Sequence, residues 1–157
     1  MNDLDKKILL QLIKHSEQPI MEIAKKVGAS RQTVAKKISQ FKADRTITAF
    51  TARPNPEKFG LVTKAYILMR EESQAELRRI NEMVIRQFPQ VTEFYRLFGR
   101  YSAVLELLVR NDKELSKLVK RIHWLKGVRE TETLIVHSTV KNDPESPFVR
   151  ILSSVQK

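Results

Sequence analysis

Apolar residues in the first third of the chain recur at helical spacing. From Leu4 they fall at Ile8, Leu9, Leu12 and Ile13, one face of a helix with Asp3 as the available starting cap. Pro19 interrupts. Ile20, Ile23, Ala24 and Val27 then make a second stripe, and it ends at Gly28, where a left-handed residue is needed. Ser30 is placed to cap a third helix by accepting from the backbone NH near Thr33. Within that helix Val34, Ile38 and Phe41 stand at i, i+4 and i+7 and face inward. The outer side is then Gln32, Lys36, Ser39 and Gln40, flanked by Arg31, Thr33 and Lys37. "RTITAFTARPNPEKFG" follows, predicting a short strand and then a linker halted by Pro54 and Pro56.

Beyond residue 60 the period changes. "LVTKAYILM" is β-branched and aromatic, a buried strand. Ser73 and Glu76 have capping-box spacing ahead of a helical stripe at Leu77, Ile80, Val84 and Phe88, which Pro89 closes. "VTEFYRLF" is the next strand, Gly99 a tight turn, and "AVLELLV" a returning strand. Asn111 or Asp112 caps a helix with Leu115, Leu118, Val119, Ile122 and Leu125 inward; Gly127 ends it, and "RETETLIVHSTV" is the last strand. The predicted fold class is α+β: a helix-turn-helix, winged-helix-like head followed by a ferredoxin-like βαββαβ domain. The boundaries read 1–50 for the head, 51–60 for the linker, 61–141 for the sheet domain and 142–157 for a tail. That tail suits either packing on a partner or a loose end.

The strands carry apolar residues on both faces: Tyr95 and Leu97 alternate with Phe94 and Phe98, and Leu105 and Leu107 with Val104 and Leu108. Two helices cover only one side of such a sheet. A second copy of the chain is the simplest cover for the other, so a homodimer is expected.

Composition sharpens this picture. Among 157 residues, 29 Lys and Arg face 18 acids, a formal charge of +11 that points to a polyanion, either nucleic acid or an acidic membrane surface. Without cysteine there are no disulfides and no thiolate metal sites. No run approaches about 18 apolar residues and no signal-like segment opens the chain, so a cytoplasmic location is expected.

Helix, glycine turn and helix, with Ala24 where the two must approach closely, make a helix-turn-helix whose second helix offers groups that bond phosphates and base edges. The candidate DNA-binding set is Arg31, Gln32, Thr33, Lys36, Lys37, Gln40 and Arg45. Gln32 suits adenine and Arg31 or Lys36 guanine; Lys25, Lys26, Lys37, Lys42 and Arg45 suit phosphates.

Other classes fare worse. The histidines His15, His123 and His137 share no metal-ligand spacing, and no carboxylate pair or glycine-rich loop stands out, so neither catalysis nor a cofactor is expected. A sheet of this topology also suits RNA, stacking bases on Phe94, Tyr95, Phe98 and Tyr101, but the basic-aromatic RNA signature is missing. No helix joins a basic face to Trp-rich apolar residues, which disfavours a membrane surface.

Several stretches resemble the leucine-responsive/asparagine regulator (Lrp/AsnC, feast/famine) family of bacteria and archaea. "LDKKILLQL" looks like its opening helix, "EIAKKVGASRQTVAKKISQF" its helix-turn-helix, "NPEKFGL" its linker and "LKGVRETETLIV" its closing signature. The resemblance implies a DNA-binding head with a recognition helix from Arg31 to about Ala43. It also implies an effector-sensing sheet domain, dimers that assemble further, often into octamers, and small amino acids as ligands. It places the effector pocket at dimer–dimer contacts near Gly99, Arg100, Tyr101 and Ser102, with Thr131 and Thr133. Two departures stand out. Ser102 occupies the place where the family turn usually has aspartate, offering a weaker neutral hydrogen bond while Arg100 adds positive charge. Either the ligand differs, being more anionic, or the pocket is vestigial. Arg45 stands where the family commonly has glycine, which implies a strained position or an added phosphate contact.

Overall fold

The computed structural model describes residues 1–154, in two compact units: residues 1–53 with 141 onward, and residues 54–140.

The first unit contains α1 (Asp3–Lys14), α2 (Ile20–Val27) and α3 (Arg31–Ala43). Ile8, Leu9, Leu12, Ile23, Ala24, Val34, Ile38 and Phe41 form its buried cluster, the face that the helical spacing selects. Gly28 adopts φ 69° after α2, and Ser30 Oγ accepts from Thr33 N at 3.0 Å, so the turn and the cap both form as expected. The first cap differs: Asn2 is the N-cap of α1, in a capping box with Asp5, and Asp3 stands inside the helix. Asn2 Oδ1 accepts from Asp5 N at 2.8 Å while Asp5 Oδ2 accepts from Asn2 N at 3.2 Å, a reciprocity Asp3 does not have.

The short strand expected after α3 is absent among the described residues. Residues 47–55 form no regular element, and the next is a 3-10 turn, Pro56–Phe59, in the second unit. A lone β-prone segment has no ladder partner in this unit, and strand propensity without a partner does not make a strand. The C-terminal segment joins the head instead of standing apart as a tail. Its helix α6 (Ser146–Ser153) packs on α1, Leu152 enters the helical core, and Arg53 pairs with Glu145. The last three residues of the predicted tail lie outside the described residues.

The second unit is the expected βαββαβ: β1 (Thr63–Glu71), α4 (Ala75–Ile85), β2 (Val91–Arg96), β3 (Ala103–Val109), α5 (Asp112–His123) and β4 (Val128–Ile135). The sheet is antiparallel, in the order β2-β3-β1-β4. Alternate residues of β1 (Ala65, Ile67, Met69) and β3 (Ala103, Leu105, Leu107, Val109) are buried with Ile85, Phe88, Leu115, Leu118 and Ile122. Each large side chain removed from water there contributes about 1.5–3 kcal/mol.

Four local expectations fail here. Ser73 and Glu76 form no capping box: Gln74 is the N-cap of α4 without a side-chain bond, and Glu76 pairs with Arg79 instead. The stripe of α4 is rotated, with Asn81 and Ile85 buried and Ile80 and Val84 exposed, because Asn81 is recruited inward by Glu71 and the Lys126 carbonyl. The last strand stops at Ile135, short of "VHSTV", and α5 ends at His123, so Gly127 (φ 82°) serves the turn into β4.

Candidate nucleic-acid interface and effector site

The candidate recognition surface follows from how α3 is seated. Val34, Ile38 and Phe41 fix its inner side, so Arg31, Gln32, Lys36, Ser39 and Gln40 stand exposed. None of these five side chains has a hydrogen-bond or ion-pair partner among the described residues. Thr33 shares a hydroxyl contact of 2.8 Å with Ser30 at the helix start. A free row of guanidinium, amide and ammonium groups on a rigid helix is what major-groove readout requires.

The phosphate candidates divide. Lys25 is exposed, Lys26 Nζ donates to Gln18 Oε1 at 2.9 Å, and the Lys42 ammonium lies 5.0 Å over the Phe50 ring. Lys37 is less free: it reaches back to α1 and lies 2.8 Å from Asp5 Oδ1, half-buried. Its hydrogen bond holds the Asp5 carboxyl below the usual carboxylate range against the opposing cost of burial. Arg45 is exposed at φ 60°, the left-handed position that ends α3. There Arg45 N donates to Lys42 O at 3.4 Å and Ile47 N to Phe41 O at 2.9 Å, a C-terminal cap that favours glycine.

The turn at residues 99–102 is differently disposed. Gly99 takes φ 135°. Ser102 Oγ accepts from Glu71 N and donates to Met69 O, both at 3.0 Å, so its hydroxyl is spent tying the turn to the end of β1. Arg100 lies 5.2 Å over the Tyr101 ring and 3.5 Å from Glu130, and Tyr101 donates to Glu132. That bond pushes the Tyr101 phenol up. Thr131 meets His123 Nδ1 at 3.0 Å.

Register then separates the predicted effector residues. Thr131 and Thr133 pair opposite Met69 and Ile67, hence on the helix-covered face, while Glu130 and Glu132 pair opposite Arg70 and Leu68, on the open face with Tyr101. Gly99, Arg100, Tyr101 and Ser102 thus share a turn, but the two threonines look the other way. The acids Glu130 and Glu132 were missed by sequence reasoning, although the alternation in "RETETLIV" puts both on one face.

Behind the turn sits a buried polar hub. The Glu71 carboxylate accepts from Asn81 Nδ2 at 2.9 Å and pairs with Arg96, which also bonds Glu82 at 2.8 Å and the Arg78 carbonyl at 3.2 Å. The aromatics considered for RNA stacking make no common platform. Phe94 packs on the core face, Tyr95 lies on the opposite one, Phe98 is exposed in the turn, and Tyr101 is bound to Glu132. No helix among the described residues is long and apolar enough to cross a membrane, and no cluster of three or more His, Cys, Asp or Glu there would hold a metal.

Comparison with known proteins agrees with this geometry. Residues 64–146 match the Lrp/AsnC ligand binding domain, and residues 1–48 a winged helix-turn-helix DNA-binding domain. The chain is 30% identical to the HTH-type transcriptional regulator FL11 of Pyrococcus furiosus over 147 residues, 94% of this chain and 96% of that one. An AsnC family transcriptional regulator from Agrobacterium tumefaciens superposes with a TM-score of 0.84 at 26% identity, covering 90% of this chain and 94% of that one. A transcriptional regulator from Neisseria meningitidis, solved as a complex with L-Met, shares the fold with a TM-score of 0.85 at 20% identity, over 90% and 93% of the two chains. With a domain-length match over the sheet unit and a full-length relative of the same class, the chain belongs to the Lrp/AsnC family of helix-turn-helix transcriptional regulators.

Proposed function

We propose that this regulator binds duplex DNA sequence-specifically through the outer side of α3, as a dimer whose two recognition helices enter successive major grooves. The observation that carries this reading is the exposed row Arg31, Gln32, Lys36 and Gln40, held rigidly from behind and without internal partners. Gln32 bonds adenine and Arg31 or Lys36 guanine, each contributing about 1–3 kcal/mol of discrimination. Thr33, Lys25, Lys26, Lys42 and Arg45 hold phosphates and set the register. Lys37 adds charge to that backbone contact, but its bond to Asp5 also gives it a share in holding α1 against α3.

Dimerisation is supported by the open face of the sheet, where Tyr66, Leu68, Val104, Leu108 and Leu134 point away from the helices. Sedimentation at micromolar concentration should show a dimer or a larger closed assembly, octamers included; a monomer would count against it.

The sheet unit senses a small amino-acid-like molecule at residues 99–102. Glu130 and Glu132 supply the negative charge that Ser102 lacks, so a ligand ammonium would exchange with Arg100 and Tyr101 for these carboxylates. The Neisseria regulator solved with L-Met supports that chemical class. Gel-shift titration tests the DNA assignment: Gln32→Ala should flatten the preference between specific and random duplex by about tenfold or more. An unchanged preference would refute it.

A further inference from the structure

A second surface has the chemistry of a polyanion contact, and it lies on the sheet unit. On α5, Lys113, Lys117 and Lys120 stand at i, i+4 and i+7, all exposed. At about 100° per residue they share one line, and Trp124 at i+11 continues it. Trp124 is 83% exposed, its ring in an edge-on pair with His123 at a centroid distance of 6.0 Å. Arg121 borders the row with its guanidinium 4.3 Å over the Phe88 ring.

Fold stability does not explain this row. Six other cations of the same unit are matched with acids, Lys64 with Glu106, Arg70 and Arg100 with Glu130, Arg79 with Glu76, Arg96 with Glu71 and Glu82, and Arg129 with Glu72, and the unmatched ones form no comparable row on one helix face. Lys113, Lys117 and Lys120 have no ion-pair partner among the described residues. Glu114, the one acid within reach of Lys117 along the helix, is taken by Arg110 N and Gln90 Nε2, both at 2.9 Å. The lysines sit instead at i, i+4 and i, i+3 from each other, where like charges repel. Lys113 also stands in the first turn, where the helix dipole disfavours a cation.

Resting on the DNA-binding function proposed above, we infer that the outer face of α5 is a second, sequence-independent contact for the backbone of duplex DNA. Lys113 to Lys120 rises about 10 Å. A DNA strand presents a phosphate about every 3.4 Å along the duplex axis, so three ammonium groups meet about three phosphates of one strand. Lysine suits this role: a mobile point charge with no base edge to read. Trp124 lays its ring against the sugar-phosphate edge at the end of the row.

The test uses the full chain and a duplex of roughly ten helical turns, over a range of salt. Lys113→Gln with Lys117→Gln and Lys120→Gln should lower the log–log salt slope by about 2.7 per bound chain, three released counterions at about 0.9 each. Arg79→Gln with Arg129→Gln, which removes paired cations, should leave the slope near the wild-type value. Trp124 is the sole tryptophan, so its emission reports this face directly. In the wild-type complex it should be shielded from iodide, and that measurement stands even if the triple variant misfolds. A triple variant with the wild-type slope overturns the inference, as does Trp124 equally quenchable with and without duplex. Loss of binding to single-stranded RNA or anionic vesicles, with duplex binding intact, overturns it too. Wild-type protein that binds no duplex at all sinks the DNA-binding function as well. Wild-type binding with a preference that Gln32→Ala removes, beside an unaltered triple variant, sinks only the role of α5.

Discussion

The exposed side of α3 and the turn at residues 99–102 are both rich in polar groups, and they use them oppositely. Arg31, Gln32, Lys36 and Gln40 have no internal partners, so a duplex would meet donors and acceptors already released from the fold. At the turn, Ser102 is bound to β1, Tyr101 to Glu132, Arg100 to Glu130 and, across the sheet, Thr131 to His123. Any ligand there must exchange for bonds that already exist. A recognition surface that must read many sequences quickly gains from being free and rigid. A sensing site gains from being occupied, because displacing an internal partner is how binding becomes a change of structure.

The strongest way to break the contrast is at the hub behind the turn. Arg96→Ala leaves the buried Glu71 carboxylate with Asn81 Nδ2 as its remaining side-chain donor, and should cost about 3 kcal/mol of stability in the sheet unit. Urea unfolding followed by Trp124 emission reads that unit specifically. Ser102→Ala should cost about 1–2 kcal/mol in the same assay, since it removes the acceptor of the Glu71 NH. If Ser102→Ala is neutral, the hydroxyl is free for a ligand after all and the contrast weakens.

On the head the expected effects are smaller and some are favourable. Arg45→Gly should raise head stability by about 1 kcal/mol by relieving a left-handed arginine, while lowering the DNA salt slope by about 0.9. Lys36→Ala should relax the guanine preference with stability changed by less than about 0.5 kcal/mol. Lys37→Ala should lower stability, and in a pH-dependent way. The Asp5 carboxyl is depressed in the folded chain by Lys37, so its contribution is complete above the unfolded value of about 3.9 and is lost as pH falls through the lower folded value. Acid unfolding should therefore begin at higher pH in Lys37→Ala than in Lys36→Ala.

What was legible in the sequence was what depends on neighbours along the chain. Pro19, Gly28 and Ser30 fix the helix-turn-helix within a dozen residues, and the α3 face follows from the 3.6-residue period alone. The misreadings depend on residues far apart. The phase of α4 turns on Asn81, which is polar and yet buried, because Glu71 and the Lys126 carbonyl are brought to it by β1 and the turn before β4. The strand expected after α3 has the right residues and no partner. The bonds that tie Ser102 to Glu71 and Met69 also join residues far apart in the chain. The face that Thr131 and Thr133 occupy likewise depends on their register with the distant Met69 and Ile67.

The most direct test is selection of bound genomic fragments by the wild-type chain and by Gln32→Ala in parallel. The wild type should enrich a two-fold symmetric sequence with half-sites about one helical turn apart, and Gln32→Ala should lose preference at one position of each half-site while still binding. The same sequence enriched unchanged by both proteins would mean that α3 does not read the bases.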